Sequence, residues 1–435
     1  MEWWGILFVF IALLFIVLGS GMPVAFAFMT LNLFGIYVWG GGSEALGVVL
    51  YSAFTALTSF TMVAGPLFIL MGEILSRSGM MRLIIEGIDK WIGRIPGRLA
   101  LCAVAAGTIF GALSGSGIAG IATIGGTLIP EMKRMGYKEQ LSIGPVIGSA
   151  GLALIIPPSM FAVVVAAVAE VSLGRLVIAC IVPGLMLAGM YAIYIMIRAK
   201  IQPHLAPPPT MRGVSLREKA HALTYILPIG LIIFLVTGII FIGIATPTEA
   251  AALGALAAFV ITALWKRLTS AAVRETMLAA TRVTGMIFMI VAGSTAFSEF
   301  LAFTGSTGGL SAFAVSLRVP PLVILILTQL VILILGFMID EYSIIMVTMP
   351  IFMPIITSLG YDPIWFCVIV IIGLIVGCST PPFGLFLFVV KGMMPEYSMA
   401  GIIKSSVPFF LIAILEMAIL IAFPQIALWL PRIMK

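Results

Sequence analysis

Small hydroxyl side chains and acids gather at two places in an otherwise apolar chain. Residues 114–117 read Ser-Gly-Ser-Gly, and residues 339–343 read Ile-Asp-Glu-Tyr-Ser. Hydroxyl, carboxylate and backbone carbonyl oxygens are hard ligands that suit a small hard cation. Asp340 is the strongest candidate, because an acid inside an apolar run is costly and is a functional candidate by default. These residue types predict cation binding, with local helix capping as the alternative role for Asp340.

The two places are related by an internal repeat. Three pairs of residues share a spacing of 224 positions: Pro130 with Pro354, Tyr137 with Tyr361, and Pro157 with Pro381. The same spacing aligns Ser116 with Asp340, so two equivalent sites would differ in their chemistry. A weaker match at a spacing of 226 pairs Glu73 with Glu299. Repeats of hydrophobic segments interrupted by Gly and Pro point to a transporter binding site.

The composition places the chain in a lipid bilayer. Of 435 residues, 62% are hydrophobic and 9% are charged, whereas soluble domains carry roughly 25% charged residues. Apolar runs long enough to cross about 30 Å of hydrocarbon recur along the whole chain. The four cysteines lack metal-ligand spacing. The net charge of +6 comes from Lys and Arg residues that gather in short loops. This distribution reflects the orientation of the chain in the membrane and does not indicate a nucleic-acid partner.

Each half contains two interrupted segments that would position the polar residues. Residues 98–132 and 320–358 are predicted to be helical hairpins, with the polar residues at their tips. Residues 140–169 and 363–394 are predicted to be helices broken at a Pro-Pro pair, because proline removes a backbone donor and clashes with the preceding turn. In lipid the freed backbone groups need partners, and a bound ion or substrate is one such partner.

The repeat and the loops divide the chain into four predicted parts. Residues 1–46 are N-terminal scaffold helices, 47–200 the first repeat, 201–274 a cytoplasmic linker with further scaffold helices, and 275–435 the second repeat. The stretch Arg198–His221 carries five basic residues and one acid, so the positive-inside rule places it in the cytoplasm. Arg432 and Lys435 predict the same side for the C-terminus.

Enzyme chemistry is weakly supported. A serine nucleophile at residues 114–117 would need a nearby base, yet His204 and His221 lie in the polar linker. Asp362 has no Gly-x-Gly-Asp partner of the kind found in intramembrane aspartyl proteases. The chain has no nucleotide-binding fingerprint, so ATP is not the expected energy source.

These residues resemble the large membrane subunit of tripartite ATP-independent periplasmic (TRAP) transporters. The likeness runs over nearly the whole chain and is carried by these segments: residues 65–68 (Gly-Pro-Leu-Phe), 111–126, 155–159 (Ile-Ile-Pro-Pro-Ser), 181–184 (Ile-Val-Pro-Gly), 246–251 (Thr-Pro-Thr-Glu-Ala-Ala) and 380–384 (Thr-Pro-Pro-Phe-Gly). The resemblance implies an all-α polytopic protein of the bacterial inner membrane with an elevator-type ion-transporter fold. It also implies an inverted repeat with two re-entrant hairpins and two broken helices.

The function implied by the resemblance is Na+-coupled import of an organic acid by an elevator mechanism, with H+ as the alternative ion. The acid would belong to the dicarboxylate, sialic acid or sugar acid class. A periplasmic substrate-binding protein would deliver it, and a small four-helix membrane subunit is expected as a separate chain. A self-sufficient ion-coupled carboxylate transporter of the same fold, without a binding protein, is the alternative.

The resemblance also places the sites on this chain. The Na+ sites are expected at the hairpin tips and the facing breaks, at Ser114, Gly115, Ser116, Gly148, Ser149, Gly151, Asp340, Ser343, Gly377, Ser379 and Thr380. The substrate is expected between them, at Ser116, Gly117, Pro157, Pro158, Ser159, Pro381 and Pro382. For any single Ser or Thr, the alternative is a hydrogen bond within its own helix.

Overall fold

The computed structural model of the protein describes residues 2–207, 215–336, 339–382 and 384–434. Within these ranges the chain is helical and contains no strand. By length and composition, seven of the described helices can each cross a membrane, or eight spans if the bent pair Glu139–Ile155 and Met160–Val168 forms one. The prediction of an all-α polytopic membrane protein is confirmed.

The helices follow one another along the chain with short connections. The first half contains Trp3–Gly19, Val24–Trp39, Ser43–Thr58, the 3-10 turn Phe60–Val63, Ala64–Arg77, Met80–Ile92, Arg98–Ser114, Gly117–Gly120, the π-helical turn Ile121–Gly125, Gly126–Arg134, Glu139–Ile155, Met160–Val168, Leu173–Ala179 and Ile181–Ile201. The second half contains the 3-10 turn Pro203–Leu205, Leu216–Ile242, Pro247–Leu264, Ser270–Phe303, Ser306–Ser316, Pro321–Leu335, Glu341–Ser358, Pro363–Ser379, Leu385–Met393, Met399–Ala422 and Gln425–Ile433.

Four composite elements position the candidate site. Hairpin 1 comprises residues 98–134, and hairpin 2 comprises residues 321–358. Broken helix 1 comprises residues 139–168, with a bend of 51° at its break, and broken helix 2 comprises residues 363–393. All four lie within two residues of the ranges expected from the sequence. The expected start of the first repeat at residue 47 instead falls inside the helix Ser43–Thr58.

The two repeats run in opposite directions. Hairpin 1 ends beside the end of broken helix 2, where Lys133 Nζ lies 3.2 Å from Glu396 Oε1. The two broken helices also touch at Gly151, where an added Cβ would collide with the side chain of Ile375. Positions 151 and 375 are again 224 apart, and contact between equivalent positions is the signature of a two-fold axis. The repeat is therefore inverted, as expected.

The C-terminus lies at the end of the molecule opposite to the basic linker. An added Cβ at Gly174 would lie 3.4 Å from Met434 Cε and 3.6 Å from Pro247 Cγ. The 27-residue helix Leu216–Ile242, about 40 Å long, separates this end from the linker. The prediction from Arg432 and Lys435 is therefore wrong. The reason is that the membrane-length helix Met399–Ala422 begins at the linker end, where Gly401 lies against Glu139, and leads to the opposite end, where Gln425–Ile433 packs beside Leu173–Ala179.

The first arm of each hairpin packs almost backbone to backbone on the broken helix of its own repeat. An added Cβ at Gly111 would lie 2.6 Å from Ala153 Cα, and one at Gly336 would lie 2.8 Å from Gly377 Cα. Positions 153 and 377 are 224 apart and positions 111 and 336 are 225 apart, so both repeats make this close approach at places that match to within one residue. Small residues allow membrane helices to pack this closely. Each hairpin therefore forms one packed unit with its broken helix.

Candidate functional site

The residues that the repeat aligns at the two hairpin tips have the same structural role. Ser116 is the N-cap of hairpin 1's second arm, and its Oγ accepts a hydrogen bond from Ala119 N at 3.3 Å. Asp340 is the N-cap of hairpin 2's second arm, and its Oδ1 accepts bonds from the backbone N–H groups of Tyr342 and Ser343, both at 3.1 Å. The capping role considered for Asp340 is therefore present.

Asp340 also accepts a hydrogen bond from a side chain, in addition to the backbone hydrogen bonds of the cap. The hydroxyl of Ser343 donates to Asp340 Oδ2 at 2.5 Å, so a carboxylate and a hydroxyl lie together at the tip. Ser343 is buried, whereas Asp340 is partly exposed. An acceptor oxygen at a helix N-terminus retains further lone pairs. Capping and cation binding are therefore compatible at this residue.

The two tips meet at one cavity of about 370 Å³. Hairpin 1 contributes Ser116 and Ile118, and hairpin 2 contributes Asp340, Glu341 and Tyr342. The opposite wall comes from the helices Ala64–Arg77 and Ser270–Phe303, which supply Ile69, Glu73, Val283 and Met286. A cavity of this size suits a small organic molecule. It is bounded by hairpins on one side and by long single helices on the other.

Contacts between the repeats surround the tips. Gly117 in hairpin 1 lies against the ring of Phe386 in broken helix 2, with no room for a Cβ. In the reciprocal contact, Tyr342 in hairpin 2 packs on Phe161 in broken helix 1, with the ring centroids 5.2 Å apart. Each tip therefore rests on the second half of the other repeat's broken helix. Movement of one tip is coupled by direct packing to the other repeat.

The break in the first repeat is satisfied by its own serine. Ser159 is fully buried, and its Oγ lies 3.3 Å from Ala153 O and 3.2 Å from Leu154 O, the carbonyls that the break frees. The same oxygen accepts a hydrogen bond from Phe161 N at 3.2 Å. The structure places Ser159 as the link between the two half-helices. Its role toward a substrate stays a prediction.

Other predicted site residues have similar local partners. The hydroxyl of Ser149 donates to Val146 O at 2.8 Å, and that of Thr380 donates to Val376 O at 2.6 Å. Gly148 lies against Phe409, so its missing side chain makes room for a ring. These contacts are the alternative considered for single hydroxyl residues. A hydroxyl that donates one hydrogen bond still has lone pairs for a cation.

The remaining predicted residues have different positions. Gly115 has a φ of +58° at tip 1, where an added Cβ would lie 2.7 Å from Met160 N. Pro157 lines a separate apolar cavity of about 290 Å³. Ser379 is buried at the end of its half-helix, and the Pro157-Pro158 and Pro381-Pro382 bonds are both cis. The side chain of Ser114 lies outside the described residues.

Two acids acquire importance only from the structure. Glu341 lies in the central cavity and is 2% exposed. Glu416 is fully buried elsewhere, in the helix Met399–Ala422, and neither of its carboxylate oxygens has a hydrogen-bond partner among the described residues. Sequence reasoning gave Glu341 little weight beside Asp340 and missed Glu416. The sequence signal that could have identified both residues is an acid within an apolar run.

Comparison with known proteins places the chain among transporters. Residues 9–426 match the family described as "Tripartite ATP-independent periplasmic transporter, DctM component". The C4-dicarboxylate TRAP transporter large permease protein DctM of Pseudomonas aeruginosa is 33% identical over 90% of this chain and 93% of its own length. The ectoine TRAP transporter large permease protein TeaC of Halomonas elongata is 30% identical over 94% of this chain and 95% of its own.

A solved structure shares the fold. The YdaH transporter of Alcanivorax borkumensis superposes with a TM-score of 0.71, covering 93% of this chain and 98% of that one, at 15% sequence identity. At this identity the similarity concerns the fold alone. It supports the architecture of repeats, hairpins and broken helices described above.

Proposed function

Because the chain belongs to the family of DctM components of tripartite ATP-independent periplasmic transporters, we propose that it carries an organic acid across the membrane in symport with Na+. The predictions of a TRAP large membrane subunit, of a multi-pass inner-membrane protein and of a protein that is not an enzyme are confirmed. The coupling ion, the elevator movement and the substrate belong to the proposal.

The main observation in support of the proposed elevator movement is which helices form the wall of the cavity. One side consists of the two hairpin tips together with Met160 of broken helix 1, and the other consists of the helices Ala64–Arg77 and Ser270–Phe303. In an elevator mechanism the hairpins and broken helices move together against the other helices and carry the site across the bilayer. Inverted repeats with discontinuous helices at the midplane support this type of movement.

The proposed Na+ sites lie at the two tips and the facing breaks, and they differ in chemistry. At hairpin 2 the carboxylate of Asp340 and the hydroxyl of Ser343 form an anionic oxygen pair. At hairpin 1 the equivalent residue is Ser116, which offers only a neutral hydroxyl. Because a carboxylate attracts a cation more strongly than a hydroxyl does, the site at hairpin 2 should bind Na+ more tightly. H+ is the alternative coupling ion.

The proposed assembly contains two partners. A small four-helix membrane subunit would associate with this chain in the bilayer, and a periplasmic substrate-binding protein would deliver the organic acid. The matched relatives are named for C4-dicarboxylates and for ectoine, which supports a small carboxylate as the substrate. A self-sufficient carboxylate transporter of the same fold is the competing assignment.

Reconstitution tests this proposal. The cognate binding protein is first screened against organic acids by thermal shift, and the acid that stabilises it is used for uptake into proteoliposomes. We expect uptake to require an inward Na+ gradient, the small subunit and the binding protein, and to be unaffected by internal ATP. Uptake of the free acid with neither partner nor ion gradient would contradict the proposal. Na+-driven uptake of the free acid without either partner would favour the self-sufficient transporter.

A further inference from the structure

Glu341 presents a buried carboxyl group to the central cavity, and no basic side chain among the described residues lines that cavity. It is the first residue of hairpin 2's second arm, is 2% exposed and lines the cavity. Its Oε2 is buried and has no hydrogen-bond partner among the described residues. A buried carboxyl oxygen without a hydrogen-bond partner is costly. The residue is therefore suited to a partner that arrives with the ligand.

The other carboxylates in the cavity already have partners. Asp340 accepts hydrogen bonds from its own helix through Oδ1 and from the hydroxyl of Ser343 through Oδ2. Glu73 Oε2 pairs with Arg77 Nε at 2.6 Å. No basic side chain belongs to the cavity lining within the described ranges. Of the three acids, Glu341 is the one with a buried carboxyl oxygen that has no hydrogen-bond partner among the described residues.

The repeat separates Glu341 from the proposed ion sites. The capping residues Ser116 and Asp340 are equivalent, whereas the position equivalent to Glu341 is Gly117, which lies 224 residues earlier. Gly117 packs against Phe386 with no room for a Cβ, so the first repeat has no counterpart to this carboxylate. The carboxyl group of Glu341 is therefore a feature of one repeat only, which fits a contact with a single asymmetric substrate.

The proposed function, on which this inference rests, places the substrate in this cavity. We infer that Glu341 binds a positively charged group of the substrate, so the transported acid is a zwitterion that carries an ammonium, guanidinium or amidinium group beside its carboxylate. Hydrogen bonds between charged groups are shorter and stronger than neutral ones. A dianion such as a simple dicarboxylate would instead place negative charge against an unpaired buried carboxylate, which opposes binding.

Matched ligand pairs give the first test. The cognate binding protein and Na+-driven uptake by the complete system are assayed with aspartate against succinate and with 4-aminobutyrate against butyrate, and with arginine as a further acid that carries a cationic group. We expect the transported compounds to carry a cationic group. Na+-driven uptake of an acid without one, in preference to its amino counterpart, would overturn the inference and leave the proposed function standing. Loss of Na+ dependence would contradict the proposed function itself.

The second test is the variant Glu341→Gln in the same complete system. We expect kcat/KM for the zwitterion to fall about 10- to 100-fold, the range of one charge-assisted hydrogen bond, with an unchanged Na+ concentration for half-maximal uptake. Glu341→Asp should recover part of the loss. The matched control is Glu86→Gln, which removes an exposed carboxylate that pairs with Arg82 outside the cavity and should leave both parameters unchanged.

Two outcomes of the variant experiment would overturn the inference. An unchanged kcat/KM in Glu341→Gln would show that the carboxylate does not contact the substrate. A shift in the Na+ concentration for half-maximal uptake would assign Glu341 to an ion site if the variant still preferred acids that carry a cationic group. The ligand pairs need no variant, so the inference stays testable even if Glu341→Gln does not fold.

Discussion

Asp340→Asn should raise the Na+ concentration for half-maximal transport at least about tenfold, the equivalent of ~1.4 kcal/mol of ion binding. The substitution removes the charge that would attract Na+ at the tip of hairpin 2. Asparagine is also a good N-cap, so its side-chain oxygen can still accept the hydrogen bonds from Tyr342 N and Ser343 N. The helix start is thus retained while the electrostatic attraction is lost. Uptake measured over a series of external Na+ concentrations gives the value.

Asp362 provides a matched control for this experiment. It caps the helix Pro363–Ser379 in the same way, with Oδ1 accepting from Ile364 N at 2.9 Å and from Trp365 N at 3.1 Å. It does not belong to the central cavity. Asp362→Asn should therefore leave the Na+ dependence unchanged. An unchanged dependence in Asp340→Asn, or an equal shift in both variants, would remove Asp340 from the ion site.

Gly111→Ala should reduce uptake by more than about tenfold and lower the melting temperature of the purified protein. A Cβ at this position would lie 2.6 Å from Ala153 Cα and 2.9 Å from Ala153 N. These are backbone atoms of broken helix 1, so relief requires hairpin 1 and the broken helix to separate. Overpacking of this kind costs about 1–3 kcal/mol or more, and it would also displace tip 1 from the cavity.

Gly120 is the control in the same hairpin. The atom nearest to an added Cβ at Gly120 is Phe110 Cδ1 at 3.8 Å, an ordinary van der Waals distance. Gly120→Ala should therefore resemble the wild type both in thermal melting in detergent and in uptake per reconstituted protein. Equal stability and equal uptake for the two alanine variants would contradict the close packing of hairpin and broken helix.

The positions of Gly and Pro residues made the hairpins and broken helices predictable from the sequence. Gly and Pro act on the local chain, so the hairpins and the breaks at Pro157 and Pro381 were recognisable without tertiary information. The equivalence of Ser116 and Asp340 followed from the same spacing and appears in the structure as a shared capping role. Predictions from such local signals hold in the folded structure because Gly, Pro and capping residues determine where helices begin and end.

Features that depend on a neighbouring helix were not predictable. The sequence does not reveal that Gly148 makes room for Phe409 or that Gly151 makes room for Ile375, since each explanation lies on another helix. The end of the molecule at which the C-terminus lies is likewise visible only from the contact of Gln425–Ile433 with Leu173–Ala179. Glu341 stands out only when its burial and its lack of a partner are known.

Cysteine protection in the cavity tests the central claim most directly, namely that the two hairpin tips enclose the site for substrate and Na+. Ile118 lines the cavity and is 39% exposed, and the four native cysteines are all buried. The labelling rate of Ile118→Cys by a water-soluble maleimide is compared with that of Ser316→Cys, at an exposed helix end. We predict that Na+ together with the transported acid slows labelling at position 118 and leaves position 316 unaffected. Labelling of Ile118→Cys at the same rate with and without Na+ and the acid would contradict the placement of the site between the tips.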